Sequence, residues 1–187
     1  MPFVITTPQL GDVDLGAVYT VLGRPGVANL PGVPTWTQLG QVVQAYDPVF
    51  GYGEFILLQI PASTAVPAGT LATWNVGTSN AYFSYVINPT TASTGAPVAV
   101  ALNAVSSSTS IQYTWFQIRG YANVLKTAVK GLPNNLVAIS GTAGRVLFTA
   151  STGKTILGMR TANTTTITTT TSLVPVIMGT NPVVQGL

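Results

Sequence analysis

Histidine and cysteine are both absent from these 187 residues, and acidic side chains number only four. The two absences together remove disulfides, thiolate nucleophiles, imidazole acid–base chemistry and the ordinary zinc ligand sets. Charge of either sign is scarce: Asp, Glu, Lys and Arg make up 6% of the chain, against roughly a quarter in ordinary soluble domains. No run reaches the roughly 18 apolar residues of a membrane-spanning helix, and Met1-Pro2-Phe3 lacks the basic start of a secretory signal. Long helical windows are missing too, because 13 prolines and 19 glycines punctuate the chain. The expectation is a protein made in a cytoplasm, with no oxidising compartment, no cofactor, no metal and no membrane.

What fills the space is threonine, with 28 copies, on an apolar background of 47%. Threonine is β-branched, polar and uncharged, and suits strands with one wet or partner-facing face. A surface built from neutral polar groups gives a lone monomer little protection against association, which points to assembly. The few charges are also unevenly placed. Residues 1 to 60 carry Asp12, Asp14, Asp47 and Glu54 against Arg24, a net of −3, and the remainder carries six basic residues and no carboxylate. Such a division could attract neighbouring copies or an acidic surface; with so few charges, simple scatter explains it equally well.

The densest aromatic and β-branched run is Ser110 to Gly120 (SIQYTWFQIRG). Ile111, Tyr113 and Trp115 alternate onto one face and Phe116 and Ile118 load the other, so the run reads as a central strand covered on both sides. Gly120 interrupts the pattern before Tyr121 to Leu125 resumes it, predicting a bulge or tight hairpin at Arg119-Gly120. Further strands are expected at 41–46, 54–60, 70–75, 81–87, 98–102, 136–139, 145–149 and 154–160, with turns rich in Gly, Pro and Asn between them. Residues 163–172 (NTTTITTTTS) read as a Thr-rich strand, and Pro175 marks the following segment as an edge. The fold class is therefore all-β: a single β-sandwich or β-barrel core over 41–160, preceded by an extended Pro/Gly-rich arm over 1–40 and followed by a Thr-rich C-terminal strand and tail over 161–187.

The arm cannot be helical, yet it is too apolar to stay solvated. Phe3, Leu10, Tyr19 and Leu30 are its candidate anchors on a partner. Phe50 and Tyr52 sit at the tip of a loop opened by Asp47-Pro48, where exposed aromatics make contacts. Several chemical signatures are present only in appearance. Gly153-Lys154-Thr155 ends like a phosphate loop, but Phe148 stands where the opening glycine belongs and the segment joins strand to strand. Asp47 and Glu54 bracket one hairpin as an acid pair for glycoside hydrolysis might, with nothing around them in support. Asn163-Thr164-Thr165 has the spacing of a glycosylation acceptor. The basic residues fall on separate hairpins and form no stripe for nucleic acid.

Tyr46 to Trp74, with Gly51-Tyr52-Gly53-Glu54-Phe55-Ile56-Leu57-Leu58 and Ala68-Gly69-Thr70-Leu71, resembles a segment of small virion proteins of tailed bacteriophages. Trp115 to Gly120, Val124, Asn135-Leu136, Thr142-Ala143-Gly144 and Ile156-Leu157-Gly158 continue the likeness over roughly residues 40 to 160. The resemblance is to head decoration, or cement, proteins. It implies a non-enzymatic homotrimer that binds the major capsid protein on the outer surface of the head, without cofactor, nucleic acid or membrane. The alternative expectation is a virion fibre or receptor-binding module that recognises a cell-surface glycan through Trp36, Phe50 and Tyr52.

Overall fold

The structure is a computed structural model, and it describes residues 4–5, 13–20, 39–74, 85–87, 93–127, 130–149, 151–168 and 173–185. Among these residues there is no helix. The strands are β1 (Val4–Ile5), β2 (Val18–Tyr19), β3 (Val42–Asp47), β4 (Gly51–Ile60), β5 (Leu71–Trp74), β6 (Tyr85–Ile87), β7 (Val98–Ala101), β8 (Gln112–Leu125), β9 (Leu136–Ile139), β10 (Val146–Leu147), β11 (Thr155–Thr161) and β12 (Leu173–Val184). Their pairing is antiparallel throughout, in the order β1-β3-β4-β8-β12-β11-β9-β10, with β2, β5, β6 and β7 branching from β8. The path ends at β1 and β10 without closing, so the domain is not a barrel but an open sheet folded upon itself.

The aromatic run does form the centre. β8 is 14 residues long. It pairs β4 and β7 with its first half and β12 with its second. Trp115 enters one apolar cluster with Val43, Ala45, Phe55 and Leu57, while Phe116 and Ile118 enter another with Ile56, Leu58 and Ile60. β5 and β7 also have two buried faces: Leu71, Val98 and Val100 join the cluster under β11 and β12, whereas Ala72, Ala99 and Ala101 join the one under β4. Strands buried on both sides thus separate three stacked apolar clusters, which explains why they read as continuous apolar runs.

The arm is partly part of this core. Tyr19 and Leu15, only 6% and 8% exposed, pack with Trp115 and Phe55. Residues Val18 and Tyr19 pair with Thr114 and Tyr113 of β8. Thr114 Oγ1 donates to the Ala17 carbonyl at 3.0 Å and Asn103 Nδ2 to the Leu15 carbonyl at 2.6 Å. β1 adds to the edge of β3, with Val4 opposite Tyr46.

At the C-terminal end the strand lies further along than the composition suggests. Of the expected strand 163–172, the described residues 163–168 make only an isolated bridge at Ile167, opposite Gly131, and 169–172 lie outside the described residues; the paired strand is β12, from Leu173. Asn163 ties the Thr165 carbonyl with its side chain at 2.7 Å, a local turn that competes with a ladder. Pro175 does not mark an edge either: β12 lies inside the sheet, between β8 and β11. The Pro175 carbonyl accepts from the Ala162 N–H just beyond the last residue of β11, and because proline has no N–H the reciprocal bond to the Ala162 carbonyl cannot form, so the ladder stops there. Pro182 falls beside Gly158, at the register shift between Leu157 and Met159.

Candidate interaction surfaces

Directly opposed residues of antiparallel strands share a face, so the registers define the outer surface of β8-β12-β11-β9. Ile177 lies opposite Tyr121 on one side and Arg160 on the other, and Arg160 opposite Leu136. Leu173 lies opposite Leu125, Pro175 opposite Asn123, and Leu157 opposite Val183. Leu136, Leu157, Leu173 and Ile177 are each 45–49% exposed. Arg160 is the one charged side chain in these rows, and its Nη1 reaches the Asn134 carbonyl at 3.3 Å. The opposite face of the same strands carries Ala122, Val124, Val174, Val176, Ile156 and Met159 into the core. Among the described residues the outer face is therefore a largely apolar, half-exposed sheet, with Phe50 laid against Tyr121 at one side.

A second feature lies where β3, β4, β8 and β12 meet. Gln44, Glu54 and Arg119 form one row across β3, β4 and β8. Arg119 Nη1 donates to Glu54 Oε1 at 3.0 Å, and Gln44 Nε2 donates to the same oxygen at 3.2 Å. Beside them Tyr52, 69% exposed, packs on Tyr46 with ring centroids 5.0 Å apart and planes tilted by 53°. Ile177, Gly179 and Thr180 complete a groove of about 510 Å³ over Gly53 and Gly120.

The residues expected to make contacts fare differently. Tyr52 is exposed in the groove. Phe50 is instead half-buried, stacked on Tyr121 of the outer face at 4.5 Å and 20°. Tyr19 is buried in its own chain, its hydroxyl donating to the Asp14 carbonyl at 3.1 Å. Burial raises its pKa, with the neighbouring Trp115 side chain and the Asp14 backbone opposing in part. Phe3, Leu10, Leu30 and Trp36 lie outside the described residues, as does Asp12.

The apparent motifs resolve into structure. Asp47 is the cap of the β3–β4 turn, its Oδ1 accepting from the Val49 and Phe50 N–H groups at 2.8 and 3.0 Å, while Glu54 is engaged by Arg119. Thr152 to Lys154 make a turn from β10 into β11, with Gly153 at φ +69°. Asp14 closes a local turn on the Gly16 N–H at 2.8 Å. Asn163 is buried, its amide donating to the Gly131 and Thr165 carbonyls at 2.8 and 2.7 Å, so it is no accessible glycosylation acceptor. Lys126 is also buried; its Nζ donates to the Thr127 carbonyl at 3.3 Å and desolvation lowers its pKa. Among the described residues no group of three or more carboxylates could hold a metal, and no helix is long and apolar enough to cross a membrane.

Sequence reasoning missed the Gln44–Glu54–Arg119 row. Glu54 and Arg119 are 65 residues apart. Only the scarcity of carboxylates after residue 60 hinted that a basic residue of β8 would seek one on β4. Neither a protein-family model nor a curated protein matches the sequence.

Proposed function

We propose that this protein is a bacteriophage head decoration (cement) protein, a homotrimer that acts without enzymatic chemistry on the outer surface of the capsid. The half-exposed, largely apolar face of β8-β12-β11-β9 is the observation that carries this reading. Covering four half-exposed aliphatic side chains contributes on the order of 4 kcal/mol. Association itself costs about that much or more, so one such contact holds weakly. Repetition changes the balance: a trimer on a repeating shell engages several copies at once, and linked contacts reinforce one another. The scarcity of surface charge favours the same life, since little repels one copy from the next. The virion location and the major capsid protein as partner come from the sequence resemblance.

The test is to mix purified protein with shells that lack it and to count bound copies. The expected result is saturable binding in the hundreds per head with increased heat resistance, reduced at least about tenfold by Leu157→Glu with Leu173→Glu. A handful of copies at one vertex, or full binding by the double variant, would overturn the reading.

A further inference from the structure

The groove over Gly53 and Gly120 borders the apolar face at Ile177, but its polar row and Tyr52 lie outside that face, and what it binds does not depend on the docking role. We infer that it is a binding site for neutral saccharides. Its volume of about 510 Å³ falls within the few hundred to roughly 1,000 Å³ of ordinary small-ligand sites. Two kinds of surface meet in it. Tyr52 offers a largely exposed aromatic ring braced by Tyr46, a platform for the C–H face of a pyranose. Glu54 and Arg119 offer the polar edge: a carboxylate only accepts hydrogen bonds and a guanidinium only donates them. A sugar hydroxyl does both, so it can bridge the pair.

Charge decides between ligand classes. Glu54 and Arg119 neutralise one another at 3.0 Å, so the row presents donors and acceptors without a net field. A phosphate or a free carboxylate would seek an uncompensated cation. A metal would need several carboxylates, and no such group occurs among the described residues. An added peptide strand would need an open edge, yet at this point β4 is paired on both sides, with β3 and with β8. The polar groups also stand on paired strands rather than loops, which fixes their spacing before a ligand arrives.

The experiment uses the full chain and a glycan panel. Neutral oligosaccharides of glucose, galactose, mannose and N-acetylglucosamine are arrayed beside glucuronylated and sialylated ones, and hits are titrated calorimetrically. At least one neutral glycan is expected to bind, with Tyr52→Ala and Arg119→Ala each weakening it at least about tenfold. Ser107→Ala, in the exposed loop between β7 and β8, is expected to bind as the parent does. Tyr52 is exposed, so its alanine variant keeps the core and can be compared at equal folded fraction. No binding of any neutral glycan, binding confined to acidic glycans, or undiminished binding by Tyr52→Ala would each overturn the inference.

Discussion

Gly120 and the main-chain carbonyl of Tyr52 are in such close approach that a β-carbon at position 120 would collide with that oxygen. The approach sits at a bulge: Glu54 faces Arg119 but Phe55 faces Gln117, leaving Ile118 as the extra residue of β8. Beyond it β8 passes from β4 to β12, pairing residues Gly120 to Leu125 with Met178 to Leu173. One glycine thus turns a single strand from one apolar cluster to the next and forms the floor beneath Tyr52 and Glu54.

Gly120→Ala is expected to cost at least about 2 kcal/mol, since its φ of +94° is unfavourable for an L side chain and the contact is with backbone, which cannot move aside. Gly51, at φ +78° with nothing within 4 Å of a built β-carbon, is the matched comparison and should lose only about 1 kcal/mol as alanine. Urea midpoints of the two variants measure the difference; equal losses would remove the case for the Gly120–Tyr52 contact.

The alternation of Tyr113, Trp115, Phe116 and Ile118 made the central strand legible because both of its faces are filled, and Gly120 marked the bulge by composition. The position of β12 was not legible. A proline normally excludes an interior strand, and Pro175 stands where the ladder to β11 stops, just past Thr161, a property of the pairing and not of its own segment. Phe50 and Tyr52 look alike in sequence, two residues apart at one loop. Which ring is left largely exposed depends on Tyr121 of a distant strand standing against Phe50, and no local signal carries that. The threonine run shows the limit of propensity: Thr164, Thr165 and Thr166 are exposed and unpaired with any strand, because the turn made by Asn163 takes precedence.

Asn163→Ala should destabilise the domain by about 1 kcal/mol. The variant takes one of two donors from the Gly131 carbonyl, which keeps the Ile167 N–H at 3.0 Å, and the Thr165 carbonyl loses the Asn163 amide. Thermal denaturation checks it, with Thr164→Ala, exposed, as the neutral comparison.

Alkaline stability follows from two phenols, buried Tyr19 and half-buried Tyr121. Burial raises the pKa of Tyr19 and of Tyr121 above the ordinary value of 10.0. Below that value both states keep the proton and the two phenols add no pH dependence. Above it the unfolded chain releases protons that the folded chain still holds, so their contribution is lost as pH rises through the raised pKa values. Lys126 acts in the opposite sense, because its lowered pKa makes stability fall as pH drops from 10.5 through that lowered value. Denaturant midpoints between pH 8 and 11.5 should therefore decline at the alkaline end, and Tyr19→Phe should make that decline shallower. An unchanged slope would mean that Tyr19 does not stay protonated in the fold.

Removing residues 1–20 tests how far the arm belongs to the core. Leu15 and Tyr19 are almost fully buried against Val43, Phe55, Leu57 and Trp115. Withdrawing two such side chains from the interior costs about 4 kcal/mol in lost burial. The Thr114 and Asn103 side chains also lose their bonds to the Ala17 and Leu15 carbonyls, at about 1 kcal/mol each. The sum approaches the whole stability of an ordinary domain, about 5–15 kcal/mol, before counting the exposure of Trp115. Truncation is thus expected to leave a chain that is unfolded or marginal by circular dichroism. Leu15→Ala separates packing from chain length and should cost about 2–3 kcal/mol in the intact protein. An arm that merely clamps a neighbour would leave both denaturation midpoints unchanged in the isolated subunit, and that outcome would place residues 13–20 outside the core.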